Sequence, residues 1–131
     1  MVTSANQTFE LPLTAGSGKD KEVTVLLDEH HLKLVTIALR SGTSLTPHCA
    51  EVPVTIHVLE GEGTIHVGAK PVPVSRGSIV VLLAGEEHDA VPGRSGNILL
   101  LVHYLRSAQQ KQPIVRGVRS SVLSFDEDNE R

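Results

Sequence analysis

The chain has 131 residues, a formal net charge of −3 and one cysteine, Cys49. This length fits a single domain, and the slightly acidic balance excludes the basic surface that nucleic-acid-binding proteins use. A single cysteine excludes an intrachain disulfide framework and fits a reducing compartment. The sequence has neither a signal-peptide pattern at its start nor a run of about 18 apolar residues, so we expect a cytoplasmic protein without a membrane span.

The first part of the chain contains three strand-like patterns. Residues 8–14 alternate weakly between apolar and polar side chains and end in a glycine-containing break at residues 15–18. Residues 23–27 form a short apolar run, and residues 32–39 are apolar on both faces. A strand with two apolar faces indicates either a central position in a sheet or contact with a partner. Together with the low charge of residues 97–105, it predicts a homodimer.

The middle of the chain alternates more clearly. Val54, Ile56 and Val58 share one face of a predicted strand, because successive side chains in a strand point to opposite sides. We predict a tight connection at residues 61–63 and then further strands at residues 64–67, 72–74, 78–83 and 97–105. Short strands separated by turn residues, with no alternation of strands and helices, predict an all-β sandwich or barrel.

The chain divides at about residue 106. A barrel with its N-terminal strands is predicted for residues 1–106, and residues 107–131 form a C-terminal extension. The extension begins with a polar linker at 107–112, continues with a candidate strand at 114–125 and ends in a charged tail at 126–131. A charged terminal run of this kind is typical of a solvated tail.

Two glycine–histidine motifs lie in the predicted barrel. The first runs from Gly42 through His48 to Gly61, and the second runs from Gly77 through Gly85 to His88. Their order and spacing resemble the two motifs of the cupin superfamily, written G-x5-H-x-H-x3,4-E-x6-G and G-x5-P-x-G-x2-H-x3-N. The resemblance covers roughly residues 22–105 and favours the small single-domain conserved-barrel cupins. It implies an all-β double-stranded β-helix, which is a jelly-roll barrel.

Five glycines of this region are predicted to supply turn geometry. Glycine is the usual residue where the backbone must adopt a conformation that other residues avoid. The five glycines are Gly42, Gly61, Gly63, Gly77 and Gly85. Their role is therefore predicted to be structural.

The resemblance also implies a metal site, of which this sequence keeps only part. In the family, the motif histidines and the glutamate point into the barrel and hold a divalent metal. Here Ala50 stands at the position of the second histidine and Val54 at that of the glutamate, so the resemblance leaves His48 and His88 as metal ligands. A divalent metal (Zn, Fe, Mn or Ni) would need a further ligand, since such centres use about three protein side chains.

The further ligand would have to come from elsewhere in the sequence. The candidates are Glu51, Glu86, Glu87, Cys49 and His103. The position of His103 is open, because the last predicted strand is apolar on both faces. His57 and His66 are predicted on the outer face, since each stands between apolar residues that point inward.

Three functions follow as hypotheses. The first is a module that binds a small organic ligand in a pocket formed by His48, Ala50, Val54, Ile56, Val58 and His88. The second is a metal-dependent enzyme of the dioxygenase or isomerase type with an atypical first shell of two histidines. The third is a metal-free enzyme in which one of the histidines acts as a general acid or base.

Overall fold

The computed structural model describes residues 7–106, which form eight β-strands and no helix. The strands are β1 (Lys21–Asp28), β2 (Leu32–Leu39), β3 (Leu45–His48), β4 (Val54–Val67), β5 (Lys70–Ser75), β6 (Ile79–Leu82), β7 (His88–Pro92) and β8 (Ile98–Leu105). The all-β prediction is therefore confirmed. This part of the chain has no helix that could cross a membrane. The predicted C-terminal extension, residues 107–131, lies outside the described residues.

All strand pairs are antiparallel, and the strands form two sheets that share β4. The first half of β4 pairs with β6 and β8, and β8 continues through β2 to the edge strand β1. We call this sheet A. The second half of β4 pairs with β5 and β7, and β7 continues to the edge strand β3; this is sheet B. A curled antiparallel arrangement of this kind encloses one face of each sheet, as in a jelly roll.

Strand β4 corrects one prediction about the glycines. Residues 61–63 are not a tight connection, because they lie inside β4, which continues for 14 residues. Gly61 has a φ angle of +91°, and a Cβ atom there would collide with the carbonyl oxygen of Asn97. A Cβ atom on Gly63 would collide with the carbonyl oxygen of Val91. Both glycines therefore permit close backbone approach where β4 passes from sheet A to sheet B, and glycine inside a strand often has this role.

The other three predicted turn glycines lie between strands. Gly42, Gly77 and Gly85 have φ angles of +74°, +92° and +85°. Residues with side chains rarely adopt this left-handed conformation. These glycines end β2, begin β6 and lead into β7, so they set the directions from which the motif segments enter the barrel.

The apolar core lies between the two sheets. Sheet A contributes alternate residues of β2, β4 and β8, among them Leu39, Ile56 and Leu100, each at most 1% exposed. Sheet B contributes Ile65 and Ala90, which are fully buried. Full burial of one such aliphatic side chain stabilises the fold by about 1.5–3 kcal/mol relative to leaving it exposed. The core is therefore built from aliphatic side chains of both sheets.

Strand β2 is apolar on both faces because both faces are covered. It lies between β1 and β8, and its inward residues belong to the core. On its outer face, Thr36 and Ala38 are also buried, and Ala38 packs against Ala15 and Leu99. The segment before β1 therefore covers this face. The weak alternation at residues 8–14 does not form a strand, since the first strand begins at Lys21.

Arg40 and Glu60 fix this segment to sheet A. The Arg40 guanidinium donates hydrogen bonds to the carbonyl oxygens of Ala15 and Lys19 and to the Glu22 carboxylate, the last at 2.7 Å. The Glu60 carboxylate accepts a hydrogen bond from the Ala15 N–H at 2.5 Å. Between segment and sheet lies a cavity of about 190 Å³ whose lining includes Ala15, Glu22 and Arg40. We call it the outer groove.

Candidate functional site

The two motif histidines come together on the inner face of sheet B. His48 ends β3 and is paired with His88, the first residue of β7. Their ring centroids are 4.3 Å apart, and the ring planes are inclined by 58°. His88 is only 4% exposed, whereas His48 is exposed to solvent. One ring of the pair is therefore anchored in the barrel and the other opens to solvent.

In each ring, the Nδ1 atom forms a hydrogen bond with a backbone carbonyl group. The Nδ1 atom of His48 lies 3.0 Å from the carbonyl oxygen of Thr46, and that of His88 lies 3.1 Å from the carbonyl oxygen of Glu86. A carbonyl oxygen only accepts hydrogen bonds, so Nδ1 must carry the proton in each ring. In the neutral tautomer, Nε2 then keeps its lone pair. The pair thus presents two Nε2 acceptors.

The surroundings of His88 favour its neutral form. Burial lowers the pKa of the imidazole below its ordinary value of 6.5, and electrostatic repulsion between the two imidazoles acts in the same direction. The hydrogen bond to the Glu86 carbonyl and the charges of Asp89 and Glu86 act in the opposite direction but do not overcome burial. At neutral pH, His88 is therefore an uncharged group with an available lone pair.

The predicted apolar lining is placed at two different depths. Val54, Ile56 and Val58 are at most 1% exposed and belong to the packed core, so they have almost no surface to offer a ligand. Ala50 is partly buried and packs against that core from its edge. The alternation pattern predicts which residues face inward, but it does not distinguish the closed core from its open edge. The ligand pocket itself stays a prediction.

The partly buried side chains that surround the core define the accessible apolar surface. They are Ala50, Val67, Val72, Val80 and Tyr104. Val67 is paired with His88, Ala50 follows His48 by two residues, and Tyr104 is paired with Val54 at the start of β4. The N–H of Gly85, three residues before His88, donates to the Ala50 carbonyl oxygen and so joins the turn before β7 to the segment that leads into Val54. These residues and the two histidines therefore lie together at one end of the barrel, which we call the barrel mouth.

The candidate third metal ligands are directed elsewhere. His103 lies on the outer face of sheet A, where its Nδ1 is 3.1 Å from the Thr55 hydroxyl. The Glu86 carboxylate accepts a hydrogen bond from the N–H of Leu83 and completes the turn before β7. The other three candidates, Glu51, Glu87 and Cys49, are exposed.

The donor set does not fit the metal centre that the cupin motifs imply. Within residues 7–106, no group of three or more His, Cys, Asp or Glu side chains is placed to hold a metal ion. Two imidazoles are fewer than the roughly three protein ligands of a catalytic zinc or a non-haem iron centre. The groups that remain for binding or catalysis at the mouth are therefore the two imidazole rings.

The two other histidines of β4, His57 and His66, are on the outer surface of the barrel. His57 is partly buried and alternates with the core residues of β4. His66 likewise alternates with buried Ile65, and its Nδ1 lies 2.7 Å from the Asp89 carboxylate. Neither side chain reaches the barrel mouth, because successive residues of a strand face opposite sides.

Sequence reasoning missed two residues of the mouth. Tyr104 was not singled out, because the strand that contains it is apolar on both faces. Lys33 was overlooked within the apolar run of β2, although it is the one charged residue there and lies in register with Tyr104. A lone charge in an otherwise apolar strand was the signal that could have identified this position.

Comparison with known proteins gives a family. A family model described as the AraC-like ligand binding domain matches residues 31–113. Among curated proteins, no sequence matches the chain.

Several solved structures share the fold. An uncharacterized conserved protein with a double-stranded β-helix domain from Klebsiella pneumoniae has 16% identity and a TM-score of 0.67, covering 78% of this chain and 93% of that chain. A cupin superfamily protein from Desulfitobacterium hafniense has 16% identity and a TM-score of 0.66, covering 78% and 94%. A Cupin 2 conserved barrel domain protein from Leptotrichia buccalis has 30% identity and a TM-score of 0.61, covering 70% and 43%.

Proposed function

This chain belongs to the AraC-like ligand-binding domains of the cupin superfamily, and on that premise we propose that it binds a small organic ligand at the barrel mouth. The observation that carries the proposal is the pair of Nε2 atoms, neither of which has a hydrogen-bond partner among residues 7–106. Both imidazoles are held by backbone carbonyls through Nδ1, and the rings lie 4.3 Å apart beside a partly buried apolar surface. A few convergent polar groups on an apolar surface are typical of a small-molecule site.

The hydrogen-bond pattern of the two rings defines what the pair recognises. A neutral imidazole with its proton on Nδ1 only accepts at Nε2. The ligand therefore carries hydroxyl or N–H groups that donate to His48 and His88. Its apolar part rests on Ala50, Val67 and Tyr104, which keep some exposed surface at the mouth.

The test is a binding screen monitored by NMR. A library of small alcohols, amides and organic acids is added to protein labelled with ¹⁵N-histidine, and the imidazole signals are followed. We expect at least one chemical class to shift His48 and His88, and to lose its effect in His88→Ala. His103→Ala is the matched control, because this ring lies on the outer face of sheet A. A library in which every compound leaves both signals unchanged would contradict the proposal.

Metal content decides between this proposal and the metal-enzyme hypothesis. We expect protein purified without chelator, and then exposed to Fe, Mn, Ni or Zn, to hold no stoichiometric metal by inductively coupled plasma mass spectrometry. The physical reason is that two imidazoles alone make a weak site. A stoichiometric metal that is lost in both His48→Ala and His88→Ala would overturn this expectation.

The neutral state of His88 also favours a second candidate function. An imidazole with a free Nε2 and a lowered pKa is able to accept a proton from a bound substrate as a general base. If a ligand from the screen is converted by the protein, His88→Gln should abolish the conversion while His103→Gln leaves it unchanged. Conversion that survives in His88→Gln would exclude this role.

The homodimer stays a prediction. Strand β6 is an edge strand whose outward residues Ile79 and Val81 are 60% and 66% exposed. Large exposed apolar side chains on a sheet edge favour contact with another chain. A dimer mass in light scattering at micromolar concentration is expected, and a monomer mass would contradict it.

A further inference from the structure

We propose that the ligand is a small organic acid, with its carboxylate held by Lys33 on the wall of the barrel opposite the two histidines. This inference rests on the proposed function, because it assigns a chemical class to the ligand of the same site. The observation behind it is the position of Lys33, which is the only charged residue in β2.

Lys33 lies on the inner face of sheet A. It lies two positions before Val35 and four positions before Ile37, and both of these residues face the core. Residues at even spacing along a strand share a face, so the stem of Lys33 runs along the interior. Lys33 is the first inward-facing residue of β2, close to the end of the strand at Leu32, and its side chain is therefore only partly buried. A lysine there covers apolar surface with its stem and presents its ammonium group at the mouth.

Tyr104 links Lys33 to the mouth. The two residues are paired between β2 and β8, and the Lys33 Nζ atom lies 5.5 Å from the centroid of the Tyr104 ring. Tyr104 is in turn paired with Val54. Lys33, Tyr104 and Val54 therefore form one row across sheet A, at the end of the barrel where β4 begins.

The ammonium group of Lys33 lies near one carboxylate without forming an ion pair with it. Its partner on β1 is Asp28, whose pKa the Lys33 charge helps to lower, but it is Arg106 that forms an ion pair with this carboxylate, at 2.5 Å, and also donates to the Glu29 carbonyl. The Arg106 hydrogen bond is the main cause that lowers the pKa of Asp28. Among residues 7–106, Lys33 forms no ion pair of its own. The two cations and one carboxylate leave a net positive charge on this wall.

The opposite wall carries His48 and His88, and packed sheets lie about 10 Å apart. A ligand that fits both walls has a carboxylate at one end, an apolar middle beside Tyr104, and a hydroxyl or N–H donor at the other end. A hydroxy acid of a few carbon atoms has this pattern, whereas a simple polyol lacks the anion and a phosphate ester lacks the apolar middle.

The experiment compares matched compounds and matched variants. Hydroxy acids and their primary amides are titrated into wild type, Lys33→Met, Lys33→Arg and Lys70→Met. Lys33→Met keeps the apolar stem and removes the charge, and Lys70→Met removes an exposed charge on β5. We expect the acids to bind wild type at least about tenfold more tightly than the amides, a difference typical of one charged contact. Lys33→Met should remove this preference, while Lys33→Arg and Lys70→Met retain it.

The outcomes separate this inference from the proposed function. If amides and alcohols bind through the histidines as tightly as acids do, the acid assignment fails and the site stands. If acids bind but Lys33→Met leaves their affinity unchanged, with an unaltered urea midpoint, the role of Lys33 fails and the site stands. If no compound shifts the His48 and His88 signals, both proposals fail.

Discussion

The barrel mouth and the outer groove both place polar groups against apolar strands, but they differ in what those groups still have to bind. In the outer groove, Arg40 is occupied by two carbonyl oxygens and a carboxylate, and Glu60 is occupied by the Ala15 N–H. At the mouth, His48 and His88 bond through Nδ1, and within the described part of the chain their Nε2 atoms have no partner. Polar groups that are paired with one another stabilise structure, whereas groups without a protein partner are available to a ligand or to water. The groove therefore stabilises the fold, and the mouth is the proposed binding site.

The largest expected effect tests the strand that connects these two regions. Gly61→Ala should lower the free energy of unfolding by about 2 kcal/mol or more, because the new Cβ is strained at φ +91° and collides with the Asn97 carbonyl. Gly68→Ala is the matched control: its φ is +62°, but a Cβ there meets no atom within 4 Å. Urea denaturation should show a clearly larger loss for Gly61→Ala. Equal losses of stability in the two variants would mean that the positive φ angle alone, rather than the close approach of the Asn97 carbonyl, accounts for the requirement for glycine at position 61.

The next effect tests the groove. Arg40→Met should cost about 1.5–3 kcal/mol of stability, which is the scale of one hydrogen bond to a charged group, because the bonds to Lys19 and Glu22 are exposed to solvent and contribute little. The imidazole NMR signals of His48 and His88 should not move. Arg76→Met, which changes an exposed arginine in the turn before β6, should stay within about 0.5 kcal/mol of wild type. Changed histidine signals in Arg40→Met would show that groove and mouth are coupled.

A smaller effect tests the mouth through its pH dependence. The pKa of folded His88 is lowered by burial, so below about pH 6.5 the unfolded chain binds more protons than the folded one. Stability should therefore fall as the pH decreases from 7.5 towards 5. His88→Gln should reduce this fall, as measured by thermal unfolding across that range, while His103→Gln should leave it unchanged. A stability in wild type that rises on acidification, or a fall of the same size in His88→Gln, would contradict the assignment.

The smallest effect concerns the exposed partner of the pair. His48→Gln should change the free energy of unfolding by no more than about 0.5 kcal/mol, because the ring is exposed and makes one hydrogen bond to a carbonyl. Its cost should appear instead in the affinity of the ligand found in the screen. A large loss of stability would mean that His48 is a structural residue, and the contrast between mouth and groove would disappear.

The sequence predicts the fold better than it predicts the site, and particular residues show why. Strand β2 was predicted with its observed bounds, because residues 32–39 are apolar and are bounded by polar and glycine residues. The connection at 61–63 was wrong, since the same glycine signal marks turns and close approach inside a strand. Both predictions rest on local sequence patterns. The pattern of β2 has one interpretation, whereas the glycine pattern at residues 61–63 has two.

The site depends on distances across the barrel, which local patterns do not contain. The motif spacing singled out His48 and His88, and the structure places them side by side. The tautomer of the rings and the position of Lys33 beside Tyr104 depend on carbonyl groups and strand register. Alternation also does not distinguish packed Val54 from accessible Ala50, because both belong to the inner half of the barrel.

The most direct test of the central claim is the protonation state of the two mouth histidines, measured by long-range ¹H–¹⁵N NMR at pH 7.5. We expect that Nδ1 of each ring carries a proton, that His88 is neutral, and that the Nε2 signals of both rings shift when a ligand from the screen is bound. A proton on Nε2 of either ring, or a positively charged His88 at this pH, would contradict it, because the mouth would then lack the pair of free acceptors from which its binding function is inferred.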